Sequence, residues 1–163
     1  MTDMDLTFRT TPEERDIQRV REIVASTDFF YDFEIDVAAE LVEERLSQGE
    51  SSGYHFVFAE VEGVTAAYAC FGPIEMTKSS FDLFWIATHA DFRGKGIGKK
   101  LLTETYRHAK RLGCTMLIAE TSGRDQYSPT RAFYDSAGFV LEARIPDYYD
   151  KGDDLLIYVK RLE

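Results

Sequence analysis

The sequence predicts an α/β fold of the α+β kind: a mixed, mostly antiparallel central sheet with helices on both faces. Two observations carry this. Tyr54 to Val61 and Val64 to Phe71 are apolar runs joined by Glu62-Gly63, a two-residue hairpin signal. Phe81 to Thr121 then reads as strand, glycine-rich loop, helix and strand. A crossover that short favours two neighbouring parallel strands with a right-handed connection.

The elements follow in order. Leu6-Thr7-Phe8-Arg9 reads as an edge strand. Thr11-Pro12-Glu13-Glu14 looks like a helix start, with Thr11 as cap, Pro12 at the first helical position and Glu14 three residues after the cap. That helix runs to about Thr27. Phe29-Phe30-Tyr31-Asp32-Phe33 is an aromatic connector, and Asp36 to Gln48 a second helix stopped by Gly49. After the hairpin and the Phe81 to Thr88 strand, Ile97 to Leu112 is amphipathic and Gly113 ends it. Thr115 to Thr121 is a strand, and Ser128-Pro129 opens a short helix that ends before Gly138. Phe139 to Ile145 and Leu155 to Leu162 are the last strands.

With 163 residues, no repeat and no linker, the chain reads as one domain spanning 1–163. A formal net charge of −10 argues against general nucleic-acid binding, which needs a basic surface. No apolar run is long enough to cross a membrane. The acidic start Met1-Thr2-Asp3-Met4-Asp5 lacks the basic and apolar regions of a signal peptide. Cys70 and Cys114 have no metal-ligand spacing and read as buried, reduced thiols. A cytoplasmic protein without a metal is therefore expected.

Against that acidic background, Arg93-Gly94-Lys95-Gly96-Ile97-Gly98-Lys99 concentrates positive charge, with Lys100, where a helix begins. Glycines uncover backbone N–H groups, and a helix start adds unpaired N–H groups pointing the same way. The stretch asks for an anion, most simply a phosphate. It is not a P-loop, because counting from Gly94 puts Lys99 at the second glycine position and no Ser or Thr follows. It is not the dinucleotide fingerprint G-x-G-x-x-G, whose last glycine would also fall on Lys99.

Arg93 to Gly98 instead resembles the Arg/Gln-x-x-Gly-x-Gly/Ala signature of the GNAT superfamily of N-acetyltransferases. Glu120, near the end of the following strand, agrees with it. So does Arg131-Ala132-Phe133-Tyr134-Asp135-Ser136-Ala137-Gly138-Phe139, which is similar to the family's A-x-x-Y-E-x-x-G-F. The resemblance covers nearly the whole chain. It implies a splayed parallel strand pair at the cofactor site and acetyl-CoA as co-substrate. Ile86, Ala87 and Thr88 would meet the pantetheine. Arg93, Gly94, Lys95, Gly96, Ile97, Gly98 and Lys99 would hold the pyrophosphate. Glu120 would be the general base and Tyr134 the general acid. A primary amine, on a small molecule or a peptide, would be the acceptor, and a homodimer is consistent by analogy. Within this reading the donor could be a longer acyl-CoA. The alternative is a non-catalytic acyl-CoA-binding sensor or partner module.

The chain departs from the family where relatives carry an asparagine seven residues before the tyrosine; here that position is Tyr127. His89-Ala90 stands where an Asp-Pro pair is common, and His89 reads either as a base or as an exposed loop residue. His55 and His108 show no partners in the sequence. Asp147, Tyr148, Tyr149 and Asp150 read either as a lining for a cationic acceptor or as a solvated turn. The aromatic connector reads either as acceptor pocket or as core.

Overall fold

The computed structural model describes residues 5–163. The acidic stretch read as no signal peptide lies, but for Asp5, outside them. Seven strands hydrogen-bond in the order β1-β2-β3-β4-β5-β7-β6. They are β1 (Leu6–Arg9), β2 (His55–Val61), β3 (Val64–Pro73), β4 (Ser80–Thr88), β5 (Met116–Ser122), β6 (Val140–Asp150) and β7 (Asp153–Arg161). The helices are α1 (Arg15–Ser26), α2 (Asp32–Gln48), α3 (Ile97–Arg111) and α4 (Ser128–Ser136). The predicted mixed, mostly antiparallel sheet is present, and β4 and β5 are its parallel pair. The chain divides into two compact units, Met1–Gly72 with Phe84–Ala109 and Pro73–Leu83 with Lys110–Glu163.

In the first unit the Glu62-Gly63 hairpin forms with both residues at positive φ, 51° and 81°, the conformation a two-residue turn needs between right-twisted strands. One face of β2 and β3 carries Phe56, Phe58, Tyr68 and Cys70, all fully buried with Val20, Ile23 and Val24 of α1 and Ala38 and Val42 of α2. Phe56 and Phe58 stack at 5.6 Å. Each large apolar side chain buried this way contributes about 1.5–3 kcal/mol. The opposite face holds His55 and Phe71, against which His108 of α3 packs edge-on at 6.3 and 5.6 Å. The two histidines without apparent partners in the sequence thus meet each other. Arg45 adds a contact to His55 Nδ1 at 3.4 Å.

Two helix starts differ from expectation. Helix α1 begins at Arg15, and Thr11 caps nothing. Arg9 is the cause. Its guanidinium takes the Thr11 carbonyl at 2.8 Å and the Asp16 carboxylate at 2.7 and 2.9 Å. Asp16, fully buried, then accepts the Glu13 N–H at 2.7 Å. Helix α2 starts at Asp32, four residues early, because Glu34 reaches back to the Tyr31 N–H at 3.1 Å. The connector is therefore partly helix, with Tyr31 and Phe33 stacked and exposed while Phe30 packs on Trp85 at the core's edge.

Gly72, near the end of β3, is approached closely by the chain between α2 and β2. A Cβ there would stand 1.8 Å from the Gly53 carbonyl oxygen.

In the second unit, β4 and β5 pair over only three positions, Ser80↔Met116 to Asp82↔Ile118. Both strands run on, β4 to Thr88 and β5 to Ser122. β5 pairs along its whole length with antiparallel β7. β6 continues past the expected Ile145 to Asp150, with register shifts at 141–143 and 145–150.

Candidate active site

The first unit carries the glycine loop. β4 ends at Thr88, and the His89 N–H donates to the Ala66 carbonyl at 2.8 Å, fixing where the chain leaves the sheet. Ala87 packs into the α1–α2 core, while Ile86 and Thr88 are half-buried. A short 3₁₀ turn, 90–92, follows, capped by His89, whose Nδ1 accepts the Asp91 N–H at 3.1 Å. That hydrogen bond occupies one ring nitrogen and gives His89 a structural task on the loop.

Gly94 and Gly96 then sit at φ 74° and 75°, a region L-residues rarely adopt, and a Cβ on either would meet nothing within 4 Å. These glycines therefore serve the backbone path and leave open space above it. Ile97 is buried and anchors the first turn of α3, while Arg93, Gly94, Lys95, Gly96, Lys99 and Lys100 are exposed. The first turn of α3 has no acidic residue. The Lys100 N–H is taken by the Gly96 carbonyl at 3.4 Å, the N–H groups before it have no acceptor within the helix, and four exposed cations stand beside them. This donor set fits a pyrophosphate.

The second unit carries Glu120 and Tyr134. Glu120 is exposed on β5, opposite Ile157 of β7. Tyr134 lies on α4, buried, with its ring against Phe139 at 5.0 Å and Tyr158 at 5.7 Å. Ile157 and Tyr158 are consecutive on one strand and point to opposite faces. Glu120 and the Tyr134 ring therefore stand on opposite faces of the sheet. Burial pushes the Tyr134 phenol well above its ordinary range.

Two groups around Glu120 deserve a place beside it. The Asp82 carboxyl on β4 is raised by burial and then by Glu120. The Tyr149 phenol is pushed up to about 12 by burial, with Glu120 the next cause. Sequence reasoning missed Asp82, although a lone carboxylate inside Phe81-Asp82-Leu83-Phe84 was a signal. Asp147 and Asp150 belong to the turn: Asp147 accepts the Gly152 N–H at 2.7 Å and Asp150 the Lys151 N–H at 2.8 Å.

A strand ending in a glycine-rich loop with exposed cations, followed by a strand with a carboxylate and a helix with a buried tyrosine, is the pattern of one class. Residues 17–139 match the acetyltransferase (GNAT) family, and the chain belongs to it. A solved structure from Desulfovibrio desulfuricans, assigned to the GNAT acetyltransferases, is 43% identical, with 97% of this chain and 99% of that one covered and a TM-score of 0.95. The L-amino acid N-acyltransferase MnaT of Escherichia coli is 33% identical over 101 residues, which is 58% of this chain and 55% of MnaT. The matched region thus spans about half the length of that curated relative. The yncA protein of Salmonella typhimurium, solved with its cofactor acetyl-CoA, shares the fold at 23% identity and a TM-score of 0.73, with 98% of this chain and 95% of that one covered. Among the described residues no helix is long and apolar enough to cross a membrane.

Proposed function

We propose that the chain works as a single domain transferring an acetyl group from acetyl-CoA to a primary amine. The observation that carries the reading is the open loop of Gly94 and Gly96 at the start of α3, with its exposed glycines and cations, in a chain of this family. Backbone N–H groups of 94–99 would hold the pyrophosphate, with Arg93, Lys95 and Lys99 adding charge. Ile86, Ala87 and Thr88 would offer the β4 edge to the pantetheine.

Bound acetyl-CoA supplies an activated thioester carbonyl. Glu120 would accept the proton of the attacking amine, directly or through water. Tyr134, a phenol that carries its proton at neutral pH, would donate to the departing thiolate. Their placement on opposite faces suits a nucleophile that arrives from one side and a leaving group released to the other. Deprotonating an α-amine at pH 7 costs about 1 kcal/mol, against about 4–5 for a lysine. An exposed base such as Glu120 is adequate for the first, and the MnaT relative's name makes free L-amino acids the acceptors to test first.

Calorimetry with acetyl-CoA, then an amine screen, tests the reading. Micromolar binding and turnover on an α-amine are expected. No binding at millimolar acetyl-CoA overturns it; firm binding without turnover on any amine leaves a sensor instead.

A further inference from the structure

We propose that Arg131 is a positioning residue that sets where the Tyr134 phenol stands relative to the end of β5; this rests on the acetyl-transfer reading above. Arg131 Nη1 donates to two carbonyls, Ser122 at 2.9 Å and Arg124 at 2.8 Å. These lie two and four residues beyond Glu120, on the segment leaving β5.

The carbonyls are themselves fixed. The Ser122 hydroxyl donates to the Asp153 carboxylate of β7 and accepts the Arg124 N–H at 3.1 Å. Arg124 Nε closes the ring on Asp153 at 3.2 Å. Strand β5, strand β7 and the loop between β5 and α4 are thus tied into one polar knot, and Arg131 joins α4 to it.

The helix needs such a tie. It has nine residues, no side-chain cap and no acidic residue in its first turn. A helix that short has little stability of its own and sits where tertiary contacts hold it. Arg131 and Tyr134 are three residues apart, on the same side of the helix. The tie and the phenol are therefore one turn apart on a nearly rigid rod, and slack at Arg131 becomes displacement at Tyr134.

The test uses the full chain, acetyl-CoA and an amine the wild type acetylates. Arg131→Ala should lower kcat about 30-fold, as expected for a shift of near 1 Å, with KM for acetyl-CoA changed less than about twofold. Arg131→Lys, which keeps N–H donors, should recover much of the loss. In a Tyr134→Phe background, Arg131→Ala should slow the enzyme no more than about twofold further, because the two act as one unit. A wild-type kcat in Arg131→Ala, or losses that multiply in the double variant, overturns the proposal. If Arg131→Ala does not fold, Arg131→Met, which keeps the aliphatic stem and removes the N–H donors, decides in the same cycle by the same criteria.

A second readout is independent of turnover. In carbon-13 tyrosine spectra, Arg131→Ala or Arg131→Met should shift the Tyr134 signal and leave that of Tyr68, in the other unit, in place. An unmoved Tyr134 signal overturns the clamp. A shifted signal in a protein that acetylates nothing supports the clamp and overturns the acetyl-transfer reading.

Discussion

The first turn of α3 and the second turn of α4 both carry residues proposed to act on the same substrate, and they are made of different materials. At α3 the proposed working groups are backbone N–H and exposed cations, laid out by glycines with open space over Gly94 and Gly96. At α4 the proposed working group is one buried phenol, packed by Phe139 and Tyr158 on a helix that Arg131 ties to β5. Binding a diphosphate needs many weak donors in a local arrangement, so a short motif is enough. Proton transfer needs one group whose titration is set by its surroundings, so distant residues build it. The comparison predicts that damage at α3 is read in affinity and damage at α4 in turnover.

The largest effect tests the second half. Tyr134→Phe should lower kcat about 100-fold while calorimetry shows acetyl-CoA affinity within twofold of wild type. A comparable loss of affinity would erase the distinction. Next, Gly96→Val forces a branched residue to a φ of 75° and should weaken acetyl-CoA binding about 10-fold, with kcat at saturation little changed. If kcat falls instead, the loop does more than bind.

Two smaller effects ask whether buried polar groups elsewhere behave like Tyr134. Among the described residues the Tyr68 hydroxyl is fully buried without a hydrogen-bond partner. Tyr68→Phe should raise stability by about 1 kcal/mol in denaturant titration and leave turnover untouched. His55 is held below its ordinary pKa by burial and then by Arg45, with Glu50 opposing and Phe71 and His108 packed on it. Its folded form resists the proton that the unfolded chain takes up near pH 6.5, so stability is lost as pH falls from about 6.5 toward the lowered value. Melting curves between pH 7 and 5 should show this loss, and His55→Gln should flatten it.

What was legible in the sequence follows the same division. The Glu62-Gly63 hairpin, the Gly94–Gly98 loop and the ends of α3 and α4 depend on residues a few positions apart, and they fall where expected. Thr11 failed as a cap because Arg9 and Asp16, seven residues apart, settle that turn between them with Glu60 of a neighbouring strand. The α2 start was hidden because apolar residues at Phe29 to Phe33 mask a Glu34 that closes onto Tyr31. The His55–His108 contact joins a strand to a helix 53 positions later, which no local pattern encodes. Glu120 and Tyr134 were reached through family resemblance, whereas their opposite faces and the Arg131 tie follow from the register of β5, β7 and α4.

The close approach at Gly72 has a bearing on how sequences like this one drift. With the Gly53 carbonyl 1.8 Å from where a side chain would begin, the third strand and the α2–β2 connection cannot change independently. A relative with any larger residue at this position must carry a connection of different length or course. Lineages should therefore exchange both features together, and an ancestor reconstructed with only one of the two should be the form that does not accumulate.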